Sequence, residues 1–233
     1  LDTAGDPADT ASQLRDAPVV AATTATCGSR AMREQSFDVA VVDEAGQLTE
    51  PGTLAATTLA ERFVLVGDHH QLPPVVQAED AAADDDCADL SESLFQRLIE
   101  AHPDASVMLD RQYRMAQRIQ AFASREFYDG QLRPASADVA GQRVADLPGV
   151  DADALPAHLQ DRVTFVDPDG AARGNTNPAE AEAVAQTVRA HLDAGVSFED
   201  IGVIAPFRAQ VAEINKHVPD AVAVDTVDRF QGS

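Results

Sequence analysis

The sequence predicts an α/β protein with two parallel sheets. In each half of the chain, continuous apolar runs alternate with segments whose apolar residues recur at helical spacing. Apolar runs without polar alternation are typical of strands covered on both faces, as in parallel sheets. Because the alternation of strand and helix occurs twice, we predict two domains, residues 1–105 and 106–233.

The first half contains three predicted strands and one helix. The strands are expected in "PVVAATTATCGS" (18–29), where a turn follows the strand, in "FDVAVVDEA" (37–45) and in "RFVLVGDHHQLPPVV" (62–76). The helix is predicted in "SESLFQRLIEAH" (91–102), with Ser91 as its N-cap.

The second half repeats this pattern around a helix with clear end signals. Asn177 is suited to cap that helix, Pro178 to its first turn and Gly195 to its end. A second helix is predicted in "RAQVAEINKHV" (208–218). Strands are predicted from Ser106 into "LDRQYRM", and in "RVTFVD" (162–167), "IGVIAPF" (201–207) and "AVAVDTV" (221–227).

The composition is strongly acidic. The net charge is −22, from 17 Lys and Arg against 39 Asp and Glu, and Lys216 is the only lysine. This balance favours a halophile's cytoplasm, because the Debye length in molar salt is only about 3 Å and acidic groups then barely repel one another. It does not exclude a nucleic-acid partner, which local arginines would have to bind.

Several classes of protein are disfavoured by the sequence. No apolar run approaches the length of a membrane span, and no basic-apolar signal peptide opens the chain. Cys27 and Cys87 lie far apart without metal-ligand spacing, which indicates free thiols in a reducing, cytoplasmic compartment.

Polar side chains follow two of the predicted strands. Asp43 and Glu44 come directly after the second apolar run, and Gln71 follows the third. Ligands of open α/β sheets bind beyond the carboxyl ends of the strands. There Asp43 could hold Mg²⁺, usually through its waters, Glu44 could orient a water for attack on phosphorus, and Gln71 could sense a phosphate oxygen. Two solvated acids at a strand end are the simpler interpretation of the pair alone.

Arginines follow a further strand in "LDRQYRM". The guanidinium forks of Arg111 and Arg114 suit developing phosphate charge, and Tyr113 offers a ring for stacking. A surface salt bridge is the alternative for either arginine taken alone. His69 and His70 do not indicate a zinc site, since adjacent histidines are expected to point apart.

The order of five short motifs is more specific than any one of them. With "DEAGQ", "GDHHQLPP", "QYRM", "APFRAQ" and "VDTVDRFQG" in this order, the chain resembles the superfamily-one helicases of the Upf-like, 5′-to-3′ branch. Within that branch it is most similar to the helicase part of the replication nuclease-helicases that trim Okazaki flaps. The resemblance covers residues 18–233 and is poorest over 130–175.

The resemblance implies an ATP-dependent enzyme with two RecA-like domains and Mg²⁺. Asp43 and Glu44 match the family's pair for Mg²⁺ binding and water activation, and Gln71 matches the glutamine that contacts the γ-phosphate. Tyr113 and Arg114 match its nucleotide-contacting pair, with Arg114 as the arginine finger.

The family's nucleic-acid contacts also have counterparts here. They match Thr23 and Thr24 in the first domain, and Pro206, Phe207, Arg208 and Thr226 in the second. Phe207 could stack on a base, although a place in the core is about as plausible from the sequence. Gly232 lies in the motif that continues towards the nucleotide's ribose.

One essential element of the family is missing from the sequence. No G-x-x-x-x-G-K-[ST] phosphate-binding loop occurs in it. We therefore interpret the chain as an internal fragment whose first RecA-like domain is incomplete, and we expect an apolar edge or face exposed near residues 18–22 and 39–42. Gly46 stands where the family often carries serine or threonine, a small-for-small change expected to matter little.

The motifs leave three alternatives to a helicase acting on single-stranded DNA. An RNA helicase of the same branch would carry the same motifs, so DNA is only the favoured substrate. A non-catalytic nucleic-acid-binding scaffold would need no phosphate loop, but the retained Asp43, Glu44, Gln71 and Arg114 argue against such decay. A dinucleotide-dependent oxidoreductase is remote because no G-x-G-x-x-G follows a strand. The oligomeric state is left open.

Overall fold

The computed structural model describes residues 14–75 and 91–230. The chain divides into two compact units, Leu1–Val107 and Met108–Ser233. Both units combine helices with short strands, and every pair of neighbouring strands is parallel. This arrangement agrees with the predicted α/β class.

Unit 1 is built on a parallel pair of strands. Strand β1 (Phe37–Val42) pairs with β2 (Ala60–Leu65), in a register that runs from Phe37 beside Ala60 to Val42 beside Leu65. Parallel strands need a crossover connection, and α3 (Glu50–Thr57) supplies it. Helix α4 (Leu94–Ala101) packs Phe95 against Val42 and Ala45 to form the core of the unit. Ser93 rather than the expected Ser91 caps this helix, through a bond from the Gln96 N–H.

The predicted strand in residues 18–29 is not present. Residues 18–22 have no regular structure, and two short helices follow them, α1 (Thr24–Cys27) and α2 (Arg30–Arg33). A strand needs a neighbour to satisfy its backbone, and no described strand pairs with this segment. Burial raises the pKa of the Cys27 thiol at the end of α1, and Cys87 lies outside the described residues.

The two strands of unit 1 are not covered on both faces, contrary to the sequence prediction. Val39, Val41, Phe63 and Val64 are 44%, 67%, 49% and 51% exposed, and Val19 is 82% exposed. Val19, Val39 and Val41 are therefore exposed as predicted for residues 18–22 and 39–42, whereas Val42 is buried. Within residues 14–75 and 91–230, the packing of α3 and α4 on this sheet leaves these apolar side chains exposed.

Unit 2 contains two small parallel sheets and five α-helices among its described residues. Strand β3 (Arg111–Gln112) pairs with β4 (Arg133–Pro134), and β5 (Gly202–Ile204) pairs with β6 (Ala223–Asp225). The helices are α5 (Gln117–Phe127), α6 (Ala137–Gly141), α7 (Pro178–Asp193), α8 (Arg208–Ile214) and α9 (Val227–Phe230).

Helix α7 forms with the end signals that the sequence predicts. The Asn177 side chain accepts hydrogen bonds from the N–H groups of Ala179 and Glu180, and Gly195 follows the helix with φ +96°. The buried face of α7 packs against α8 and β5 in the main core of the unit. That core contains Ala181, Ala185, Val188, Ala205, Ile214, Val218 and Val222.

Two other predicted strands of unit 2 are shorter than expected or missing. Residues 106–110 have no regular structure, so only Arg111–Gln112 forms a strand there. The segment 162–167 forms no strand, and Phe165 is 90% exposed. Its alternating apolar residues lack a described neighbouring strand, while its first residue, Arg162, bonds to carbonyls of residues 141 and 142. None of the described helices is long and apolar enough to cross a membrane.

Candidate functional site

The first part of the site is the loop that leaves β1. Asp43 and Glu44 are both exposed there. The Glu44 backbone is left-handed, with φ 52°, a conformation that costs a residue with a side chain about 1–2 kcal/mol. Asp43 Oδ1 accepts the Glu44 N–H at 2.9 Å, and Glu44 Oε2 accepts from Gln47 Nε2 at 2.9 Å. These bonds fix both carboxylates at the carboxyl end of the strand.

The loop that follows β2 lies directly against the loop that follows β1. The Ala45 N–H donates to the Val66 carbonyl at 2.9 Å, and the Val66 N–H donates to the Val42 carbonyl at 2.8 Å. The backbones cross at two glycines: a Cβ on Gly46 would lie 2.7 Å from the Asp68 carbonyl oxygen, and one on Gly67 would lie 2.8 Å from the Gly46 nitrogen. Glycine at position 46, where the family often carries serine or threonine, is therefore required by the close approach of the backbone across from it.

Gly46→Ala should destabilise the protein, because the added methyl group forces two backbone segments apart. We expect the free energy of unfolding to fall by about 1–3 kcal/mol. Gly52→Ala in α3 is the matched control, since a Cβ there meets its nearest atom at an ordinary 3.5 Å and alanine favours a helix. Urea titrations of both variants and the wild type would decide; equal stability of the two variants would contradict the close crossing.

Gln71 lies beyond β2, at the same end of the sheet as Asp43 and Glu44. Its Nε2 donates to Asp68 Oδ2 at 2.9 Å, and the His70 N–H donates to Asp68 Oδ1 at 3.0 Å. Asp68, which the sequence reasoning did not select, therefore orients the glutamine. The sequence signal that could have identified Asp68 is its position directly after Gly67, just beyond the end of an apolar strand.

The two histidines beside Gln71 do not point apart as expected. Their ring centroids are 4.0 Å apart, and the ring of His69 lies 6.4 Å from that of Phe95. Within residues 14–75 and 91–230, no group of three or more histidine, cysteine or acidic residues is arranged to hold a metal ion.

In unit 2, the loop after β3 presents Tyr113 and Arg114. Tyr113 is 77% exposed. The Gln112 side chain shapes this loop: its Oε1 accepts the N–H groups of Arg114 at 2.9 Å and Met115 at 2.7 Å, and its Nε2 donates to the Met115 carbonyl at 2.7 Å. Arg114 is exposed and forms no ion pair among the described residues, whereas Arg111 lies 3.8 Å from Asp110.

The candidate nucleic-acid residues of unit 1 lie at the start of α1. The hydroxyl of Thr23 accepts the Thr26 N–H at 3.3 Å and lies 3.0 Å from the Thr26 hydroxyl. Thr23 is thus the N-cap of α1, and Thr24 is its half-buried first residue. Both threonines have a structural part in this short helix.

The candidate residues of unit 2 gather at the carboxyl ends of β5 and β6. Pro206 and Arg208 are exposed, and Phe207, just before α8, is 49% exposed and does not belong to the described core of unit 2. Thr226 is 8% exposed, and its N–H donates to Asp225 Oδ1 at 2.8 Å. The Ala205 N–H donates to the Asp225 carbonyl at 3.1 Å, which joins the two strand ends. Gly232 lies outside the described residues.

Comparison with known proteins identifies the family of the chain. Two family profiles, each described as an AAA domain, match residues 5–79 and 90–233. The chain belongs to the AAA domain family.

Named relatives of this AAA domain protein include two enzymes and a DNA-binding protein. It is 35% identical to the DNA replication ATP-dependent helicase/nuclease JHS1 of Arabidopsis thaliana, over 96% of the chain and 17% of that protein. It is 34% identical to the DNA replication ATP-dependent helicase/nuclease DNA2 of Xenopus laevis, over 92% of the chain and 22% of that protein. It is 39% identical to the DNA-binding protein SMUBP-2 of Mesocricetus auratus, over 94% of the chain and 23% of that protein.

These relatives support the resemblance to the superfamily-one helicases. The chain spans only about a fifth of their length, 17% to 23% for these three.

Three exposed side chains of the AAA domain protein, Asp43, Glu44 and Gln71, have the donor and acceptor groups that could bind ATP together with Mg²⁺. Asp43 uses one carboxylate oxygen to accept the Glu44 N–H, which leaves the other for the water shell of a magnesium ion. Glu44 and Gln71 present a carboxylate and an amide from neighbouring strands at the same edge of the sheet. A single carboxylate with several retained waters is a usual donor set for Mg²⁺ bound together with phosphates.

Proposed function

We propose that this chain is part of an ATP-dependent helicase that acts on single-stranded DNA in replication or repair. The observation that carries the proposal is the convergence of Asp43, Glu44 and Gln71 at the carboxyl ends of two parallel strands whose loops are locked together by backbone bonds. The names of the relatives, two of them helicase/nucleases of DNA replication, support this choice of reaction.

In this proposal, the residues of unit 1 prepare ATP for hydrolysis. Glu44 orients the attacking water and accepts its proton, while Asp43 holds the water shell of Mg²⁺. Gln71, whose side chain is held by Asp68, contacts the terminal phosphate and couples phosphate binding to the position of β2. A Mg²⁺ ion held through Asp43 would supply positive charge that offsets the charge of the phosphate oxygens.

Unit 2 supplies the remaining contacts in the proposal. Tyr113 stacks on the nucleotide and Arg114 acts as the arginine finger, with Gly232 near the ribose. Residues 1–105 and 106–233 act as two RecA-like domains. Thr23, Thr24, Pro206, Phe207, Arg208 and Thr226 contact the DNA strand, through backbone contacts and stacking that tolerate any sequence.

The proposal is tested by strand displacement with the full-length protein. Duplexes with a 5′ single-stranded tail of DNA or of RNA are mixed with ATP and Mg²⁺, and displacement is followed by fluorescence. We expect ATP-dependent displacement with the DNA tail. Displacement with the RNA tail alone would show an RNA helicase, and binding without ATP hydrolysis would show a non-catalytic scaffold; either result would overturn the proposal.

We also propose that the acidic composition is an adaptation of a cytoplasmic protein to high salt. Acidic side chains outnumber Lys and Arg by 39 to 17. The midpoint of thermal unfolding should therefore rise between dilute buffer and molar KCl, because screening removes repulsion over distances beyond about 3 Å. Circular dichroism measures this midpoint, and an unchanged or lower value in KCl would contradict the proposed adaptation.

A further inference from the structure

Gln142 lies outside every motif that carries the family resemblance, yet it bonds to the loop that presents Arg114. Its side-chain Nε2 donates to the Arg114 carbonyl oxygen at 2.5 Å, across 28 residues of sequence. The N–H of the same residue, Arg114, donates to Gln112 Oε1 at 2.9 Å. Both polar groups of the Arg114 backbone are therefore bound by glutamine side chains, one near in sequence and one distant.

Gln142 is in turn fixed by Arg162. The Arg162 Nε donates to the Gln142 carbonyl at 3.0 Å, and its Nη2 donates to the Gly141 carbonyl. Arg162 is half-buried and forms no ion pair among the described residues. Within this part of the chain, its guanidinium therefore binds only the carbonyl groups at the C-terminal end of α6. A continuous series of hydrogen bonds thus runs from Arg162 through Gln142 to the Arg114 backbone.

We propose that Gln142 and Arg162 are positioning residues for the Arg114 side chain. Arg114 is exposed and has no carboxylate partner among the described residues, so only its backbone fixes its direction. A displacement of about 1 Å in a group that contacts the transition state can cost about 100-fold in rate. This inference rests on the proposed function, in which Arg114 acts as the arginine finger.

The test uses the full-length protein with Gln142→Met, which keeps the length of the side chain and removes its N–H donors. We expect the kcat of DNA-stimulated ATP hydrolysis to fall about 10- to 100-fold, with KM for ATP changed less than about threefold. Gln160→Met is the matched control. Gln160 Nε2 donates to the carbonyls of Ala152 and Leu155, bonds of the same kind in the same region without a link to Arg114.

A double-mutant comparison distinguishes a positioning role of Gln142 from a purely structural one. If Gln142 acts through Arg114, Gln142→Met should have no further effect on kcat in an Arg114→Ala background, and Arg162→Met should lower kcat as Gln142→Met does. Equal losses for Gln142→Met and Gln160→Met, or independent losses for Gln142→Met and Arg114→Ala, would overturn the inference.

A second measurement does not depend on ATP hydrolysis. Hydrogen exchange of the Arg114 and Met115 N–H groups should quicken in Gln142→Met and stay unchanged in Gln160→Met, because only the former loosens this loop. Unchanged exchange in both variants would overturn the inference even if the helicase is active. Faster exchange in a protein without ATP hydrolysis would instead show that the proposed function fails, and the positioning role with it.

Discussion

Glu44→Gln in the full-length protein is expected to lower ATP turnover by about 10²–10⁴-fold while ATP binding is kept. Glutamine has the size of glutamate and still presents an oxygen that can accept the bond from Gln47 Nε2, so the loop after β1 should keep its shape. What is lost is the negative charge that orients a water and accepts its proton. Phosphate release and binding of a fluorescent ATP analogue measure the two properties separately.

The matched control for Glu44→Gln is Glu50→Gln in α3. Glu50 also bears a carboxylate in unit 1, but it pairs with Arg97 at 2.8 Å. Its replacement should leave turnover within a few-fold of the wild type, since exposed ion pairs contribute about 1 kcal/mol or less. Turnover that survives Glu44→Gln to the same degree would show that Glu44 is not the base.

Arg114→Lys is expected to lower ATP turnover by about 10³-fold or more, the usual contribution of an arginine finger. Lysine keeps the positive charge but loses the planar fork that contacts two phosphate oxygens together. Backbone bonds from Gln112 and Gln142 do not involve the guanidinium, so the loop itself should be unchanged. Single-turnover hydrolysis with ATP in excess over its dissociation constant measures the chemical step.

Arg111→Lys provides the comparison for Arg114→Lys, three positions earlier in the same passage. Arg111 is exposed and lies 3.8 Å from Asp110, an arrangement typical of a surface ion pair. A large loss of ATP turnover in Arg111→Lys with a small loss in Arg114→Lys would show that Arg111, and not Arg114, acts as the arginine finger. Small losses of ATP turnover in both variants would show that this loop does not contain an arginine finger.

The parts of the fold that could be predicted from the sequence depend on local signals. Helix α7 begins after Asn177 and ends before Gly195 because capping bonds and a left-handed residue are encoded within a few positions. The proximity of Gln71 to Glu44 also follows from simple topology. Parallel strands end at the same edge, so residues that follow consecutive strands meet there.

The parts that could not be predicted depend on distant partners. Residues 162–167 have the apolar pattern of a strand, but no described strand lies beside them, and Phe165 stays 90% exposed. Gln112, Asp68 and Gln142 orient candidate site residues through side-chain hydrogen bonds that composition and periodicity do not reveal. The tight crossing at Gly46 was missed for the same reason, since residue size says nothing about the backbone across from it.

The left-handed backbone of Glu44 sets local function against the stability of the fold. At φ 52° glycine and asparagine cost less conformational energy than glutamate, and neither has a carboxylate. Screens for thermostability alone would therefore favour these residues at position 44, and they would remove the proposed base. Engineering of this protein for heat resistance should leave position 44 unchanged, together with the backbone bonds that hold it.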